Sequence, residues 1–257
     1  MRFLSVLIVS LLYAITVFAG APKLKNVPDF VTEETSVEEV ALNLTKGVKT
    51  DAEKAKVLAY FLATYYERDG FLKKERDKAA LQKKEYQPSY KSDFFRTGVG
   101  TSFDFARLYQ QLCQAVGLNA VVIEGYVGHN IHAFGAVRSE QKAIRFASAM
   151  AFGKSDLSLI RHEAAWNAVE VNGKWILVDT YKMIKGEKYA YKNVSNKRSM
   201  ERILEQNKKK RLSIKNRSID ENYFDATPKK MSEDHFPLDE KWQLLKHPVS
   251  WRNFIKN

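Results

Sequence analysis

Ser102 stands in the run Gly98-Val99-Gly100-Thr101-Ser102-Phe103-Asp104-Phe105-Ala106, a small-residue loop that leads straight into a helical pattern. A helix starting near Ser102 aims backbone N–H groups and the positive end of its dipole at whatever the glycine loop holds, an arrangement that stabilises a thiolate or an oxyanion. A serine hydroxyl at such a place attacks nothing without a positioned base. Candidate substitutes for that base are His129 and His132, just after the Gly125-Tyr126 segment, and His162. On a strand His162 shares a face with Ala164 but sits about 7 Å further along. The simpler reading makes all three histidines loop or strand-end residues without a catalytic task. A carboxylate, Asp179, closes the run Trp175-Ile176-Leu177-Val178-Asp179. Its own simpler role is that of a strand-end acceptor for backbone or Trp N–H groups. The single cysteine, Cys113, falls on the apolar stripe of the helix with Leu108, Tyr109 and Leu112, the place of a core thiol. The five histidines and one cysteine show no metal-ligand spacing with carboxylates, so the sequence implies neither a metal nor a cofactor.

The elements that must position these residues are readable in order. Ser36-Val37-Glu38-Glu39 and Thr50-Asp51-Ala52-Glu53 have the form of capping boxes and predict two helices. In the second, Ala55, Leu58, Ala59, Leu62 and Tyr66 recur at helical spacing, with Asp69-Gly70 as the stop. Residues 73–91 are charged and read as an exposed connector. The helix from Ser102 buries Phe105, Leu108, Tyr109, Leu112, Cys113 and Val116 and ends at Gly117 in a left-handed cap. Val121–Val127 is a β-branched strand. Residues 139–154 form an Ala-rich, helical insertion. Ala164–Val171 and Trp175–Asp179 flank Asn172-Gly173-Lys174, a strong hairpin signal. A helical stretch is expected near 198–210, and the tail from Tyr223 is aromatic-rich and turn-rich.

Taken together, the Gly loop and helix, the Gly125-Tyr126 strand, Ala164-Ala165-Trp166-Asn167, the Asn-Gly turn and Val178-Asp179 resemble the transglutaminase-like superfamily over roughly residues 91–180. The tail blocks Tyr223-Phe224-Asp225-Ala226-Thr227-Pro228, His235-Phe236-Pro237 and Lys241-Trp242-Gln243-Leu244-Leu245 resemble the extension of its kyphoscoliosis-peptidase and cytokinesis-protein-3 branch. The resemblance implies an α+β, papain-like fold in which the Ser102 helix packs on an antiparallel sheet. Active members attack an amide carbonyl with a Cys thiolate, use a His as base and acid, and fix that His with an Asp. On this sequence the Cys position is Ser102, the His position is Ala164 and the Asp position is Asp179, so only the third is intact. Gly100, Thr101, Tyr126 and Trp166 would line the inherited cleft, with Trp166 placed to touch a bound peptide, although core packing is its simpler role.

The rest of the chain bounds compartment and partners. Met1-Arg2, the apolar run Phe3–Val17 and Phe18-Ala19-Gly20-Ala21-Pro22 read as a secretory signal over residues 1–20, with an uncleaved anchor as the alternative. Residues 21–90 then form a helical region with its charged connector, and 91–257 the transglutaminase-like domain. The net charge is +12, and 13 Lys and Arg against 3 Glu lie between Tyr181 and Ser218. Within that basic strip the run Lys208-Lys209-Lys210-Arg211 shows no aromatic interleaving, which argues against nucleic acid and for a solvated face. Asn43, Asn193 and Asn216 head Asn-x-Ser/Thr sequons, relevant only in a eukaryotic secretory pathway. The expectation is a secreted or periplasmic, catalytically silent protein that binds a peptide, protein or cell-envelope polymer and meets a membrane only through its export signal. Two readings compete with it: an active amide hydrolase or acyl transferase with Ser102 as nucleophile and a substitute histidine, and a binder of anionic polymers through the basic strip.

Overall fold

The computed structural model describes residues 22, 24, 35–69, 94–127, 164–185, 189–190 and 218–254. The signal at 1–20, the connector at 73–91, the insertion at 139–154, the stretch at 198–210, most of the basic strip, His129, His132, His162, Asn193 and Asn216 lie outside the described residues. Helix α1 (Val37–Thr45) starts where Ser36 accepts a hydrogen bond from the Glu39 N–H, and α2 (Asp51–Tyr65) starts in a reciprocal Thr50–Glu53 capping box. Helix α2 stops at Tyr65, short of the Asp69-Gly70 expected from sequence, because Glu67–Asp69 leaves the helix to form strand β1. It also buries more than one face: every residue from Ala55 to Ala63 is buried. A one-turn helix α3 (Phe94–Thr97) leads into β2 (Val99–Gly100) and helix α4 (Ser102–Ala115). Gly117, at φ +82°, follows the end of α4 in the left-handed conformation expected of it.

Five strands form the main sheet: β3 (Ala120–Val127), β4 (Ala164–Val171), β5 (Lys174–Val178), β7 (Phe224–Ala226) and β8 (His235–Pro237). Their order is β7-β5-β4-β3-β8, and every pairing is antiparallel. The hairpin between β4 and β5 turns through Asn172 and Gly173, both at positive φ, as the Asn-Gly pair dictates. The tail, read from sequence as turns, supplies both edge strands, with the short helix α5 (Pro228–Met231) between them. A second, parallel sheet of β1, β2 and β6 (Tyr189–Ala190) has no counterpart in the sequence reading.

The two faces of the main sheet carry different cores. Residues of β3 and β4 such as Ala120, Val169 and Val171 pack with α1, α2 and α4 in one large cluster. Alternate residues, Ile123, Val127, Ala164, Trp166 and Ala168, point to the other face and pack with Leu177, Ala226 and Met231. Buried hydroxyls fix the helices to their neighbours: Tyr109 donates to the Ala55 carbonyl at 3.0 Å and Tyr66 to the Phe95 carbonyl at 2.9 Å. Each such bond contributes about 1 kcal/mol net. The result is the α+β arrangement expected from the sequence, a central helix laid on an antiparallel sheet.

Candidate active site

Ser102 is the first residue of α4, and the helix start is built by its neighbours. Thr101 is the N-cap: its hydroxyl accepts from the Asp104 N–H, and the Asp104 carboxylate accepts from the Thr101 N–H at 2.7 Å and the Thr101 hydroxyl at 2.8 Å. This Thr-x-x-Asp box went unread in the sequence, although its form is the same as the two boxes upstream. It commits Thr101 to holding the helix and sets a carboxylate in the first turn, where it offsets part of the dipole available to an anion. Gly100 lies directly against the Phe94 ring, so close that a β-carbon there would overlap Phe94 Cδ2 and crowd Asp104 Cβ.

The Ser102 hydroxyl is buried and faces β4, where its oxygen accepts a hydrogen bond from the Ala165 N–H at 3.3 Å. The structure thus brings Ser102 to the start of the Ala164-Ala165-Trp166-Asn167 strand. Among the described residues no imidazole is hydrogen-bonded to Ser102. Ala164 presents only its methyl, which packs in the inner cluster with Trp166. Asn167, on the opposite face, donates through Nδ2 to the carbonyls of Ala106 at 2.9 Å and Val121 at 3.1 Å, tying α4 to both strands. The alternation in Trp166-Asn167 therefore serves two layers: the indole fills the inner face and the amide holds the helix. Tyr126 is fully buried within the sheet.

Asp179, just past β5, is buried and fully engaged. Oδ1 accepts from the Lys182 N–H at 2.9 Å, and Oδ2 meets His235 Nε2 at 2.9 Å. The other ring nitrogen of His235, Nδ1, meets Asp234 Oδ1 at 2.5 Å, and Asp234 Oδ2 accepts from the Tyr223 hydroxyl at 2.8 Å. Trp166 meets the imidazole edge to face, with centroids 4.8 Å apart. Burial alone would lower the His235 pKa, but hydrogen bonds and charge from Asp179 and Asp234 outweigh it and raise the value. Burial likewise pushes the Asp234 carboxyl up, yet the imidazolium, the Tyr223 hydroxyl and Lys182 hold it down at about 2. Burial, then the charge of Asp234, pushes the Tyr223 hydroxyl upward. The sequence reading placed His235 in a tail motif and gave neither it nor Asp234 a role at the site. The available signal was the Asp-His dipeptide itself, in a chain whose Asp179 had no base to hold.

Cys113 is wholly buried in α4, and burial raises its thiol to about 12 despite an opposing hydrogen bond with Tyr109. It is a core residue. Among the described residues no cluster of His, Cys, Asp and Glu has the form of a metal site.

The central helix that starts at Ser102 lies on an antiparallel sheet that carries the Trp166-Asn167 and Val178-Asp179 motifs. The family model of the transglutaminase-like superfamily matches residues 38–180, and the chain belongs to that superfamily. The matched stretch takes in α1 and α2 as well as α4 and the three central strands β3, β4 and β5. Among curated proteins the chain is similar to human kyphoscoliosis peptidase, 25% identical over 227 residues, which is 88% of this chain and 27% of that protein. Drosophila melanogaster hillarin is 28% identical over 147 residues, covering 57% of this chain and 14% of its own length. The chain thus spans about a quarter or less of these relatives. A crystal structure of a TGase overlaps 63% of this chain and 34% of its own, with a TM-score of 0.36 and 16% identity.

Proposed function

We propose that this protein is an exported, catalytically silent member of the superfamily that uses the inherited cleft to hold a peptide, protein or cell-envelope polymer. The observation that carries this reading is the engagement of its three triad positions. Ser102 accepts a backbone N–H, Ala164 offers a methyl, and the Asp179 carboxylate is held by an imidazole whose second nitrogen is also committed to a carboxylate. A serine hydroxyl without a base is a weak nucleophile at neutral pH. Loss of triad members leaves only about 10³–10⁴-fold catalysis over water, from oxyanion donors and binding. His235 does not replace the absent base, since neither ring nitrogen is left to take a proton from Ser102.

Export rests on the N-terminal sequence alone. Among the described residues no helix is long and apolar enough to cross a membrane. The test of silence compares the protein with Ser102→Ala on glutamine-containing peptides, scoring both amide hydrolysis and incorporation of a primary amine. Equal rates, within about twofold, are expected; a wild-type rate a hundredfold above the variant would overturn the reading and point to a base among His129, His132 and His162.

A further inference from the structure

The tail leaves the sheet at one edge, β7, and returns at the other, β8, yet a side chain from its return strand bonds a carboxylate beside the first edge. Flat strands would separate β5 from β8 by about 14 Å. The 2.9 Å contact between His235 Nε2 and Asp179 Oδ2 exists because the sheet curls and the tail closes over its inner face. We propose that Asp234-His235 is a proton-operated latch that fastens this closing segment onto Asp179, so that the carboxylate kept at the family's triad position serves anchoring in this chain.

Three features of the geometry support a latch rather than ordinary packing. The imidazole is buried with a carboxylate oxygen at each nitrogen, an arrangement that only a doubly protonated ring satisfies with two N–H donors. The two carboxylates come from separate parts of the chain, one at the exit of β5 and one adjacent to His235, so the ring joins tail to core through charge. Each carboxylate is braced from behind, Asp179 by the Lys182 N–H and Asp234 by the Tyr223 hydroxyl. The other charged groups around the cluster are Lys182, whose ammonium lies 5.9 Å from the Tyr223 ring centre, Asp220, which acts on Tyr223, and Lys230, which is engaged by Glu233. Trp166 covers the ring from β4.

The sign follows from the raised His235 pKa and the lowered Asp234 pKa. The imidazolium contribution is complete below the unfolded value near 6.5 and is lost as pH rises through the higher folded value. The Asp234 contribution is complete above about 4 and is lost as pH falls toward about 2. The latch therefore contributes in full between about pH 4 and 6.5, and it opens on the alkaline side only as pH passes the raised folded value of His235, where losing one proton leaves two buried carboxylates sharing a neutral ring. It holds irrespective of what the cleft takes.

Nitrogen NMR of the His235 ring in the full, unaltered chain reads the latch directly. The ring is expected to titrate with a midpoint above the ordinary 6.5, with both nitrogens carrying protons below that midpoint; a ring already neutral at pH 6.5 would overturn the proposal. In urea titrations from pH 5 to 10, the folded-to-unfolded ratio is expected to fall by up to tenfold per pH unit once the unfolded imidazole is neutral. His235→Gln removes that step, whereas the same slope in the variant as in the wild type would overturn the proposal. Asp234→Asn, which keeps the shape of the carboxylate, is expected to lower the ring midpoint by at least about one unit. An unchanged midpoint counts against a latch.

Discussion

A hydroxyl at position 102 hides how little the surrounding atoms favour an anion. Its oxygen accepts one backbone N–H from Ala165, the first turn of its helix carries Asp104, and no described imidazole is bonded to it. A thiol placed there tests that environment. In Ser102→Cys, the pH midpoint for alkylation is expected at or above the ordinary thiol value of about 8.5, since among the described residues no cation is bonded to Ser102 and burial raises it. Cys113, raised to about 12, serves as the silent internal control. A midpoint below 7 would reveal a cation beside the site. The resemblance to the superfamily links Ser102, Ala164 and Asp179 as a set, because each sits in a local motif that carries that resemblance. The sequence did not show His235 as the partner of Asp179, because 56 residues separate them and only the curl of the sheet brings them together.

The strands show the same division between local and distant information. The hairpin of β4 and β5 follows from Asn172-Gly173, whose positive φ angles need no tertiary help. The edge strands β7 and β8 are three residues each, too short for alternation to stand out, and they exist because β5 and β3 offer them unpaired edges. Helix α2 ends early for a similar reason: Arg68 leaves the helical path, and its guanidinium donates to the carbonyls of Tyr181 and Ile184. Gly125 is the element-level residue most exposed to test. A β-carbon there would run into the Phe236 carbonyl and lie 2.6 Å from Trp166 Cη2. Gly125→Ala is expected to push β8 off β3 and cost about 1–3 kcal/mol or more, measured by urea unfolding together with faster amide exchange at Phe236. Unchanged exchange there would mean that the strand adjusts without separating.

Across the molecule, one long core holds α1, α2 and α4 against the sheet, and a smaller one is closed by the tail. Both edges of the main sheet are tail strands, so the part matched by the superfamily, residues 38–180, is not the whole cooperative unit. Cutting the chain after residue 218 is expected to bare the edges of β3 and β5 at once and expose Trp166 and the inner cluster, giving an aggregating protein without a sharp unfolding transition. Size-exclusion chromatography and thermal melts check this; a monomeric, cooperatively melting fragment would show that the core stands without its edges.

The late position of the two edge strands also sets a timetable. During synthesis β3, β4 and β5 are complete by Val178, but β8 is finished only at Pro237. At about 5–20 residues per second, the open sheet waits about 3–12 s for its closing strands. Throughout that interval the edges of β3 and β5 stay unpaired, which makes this stretch of synthesis the one in which a holding chaperone matters most.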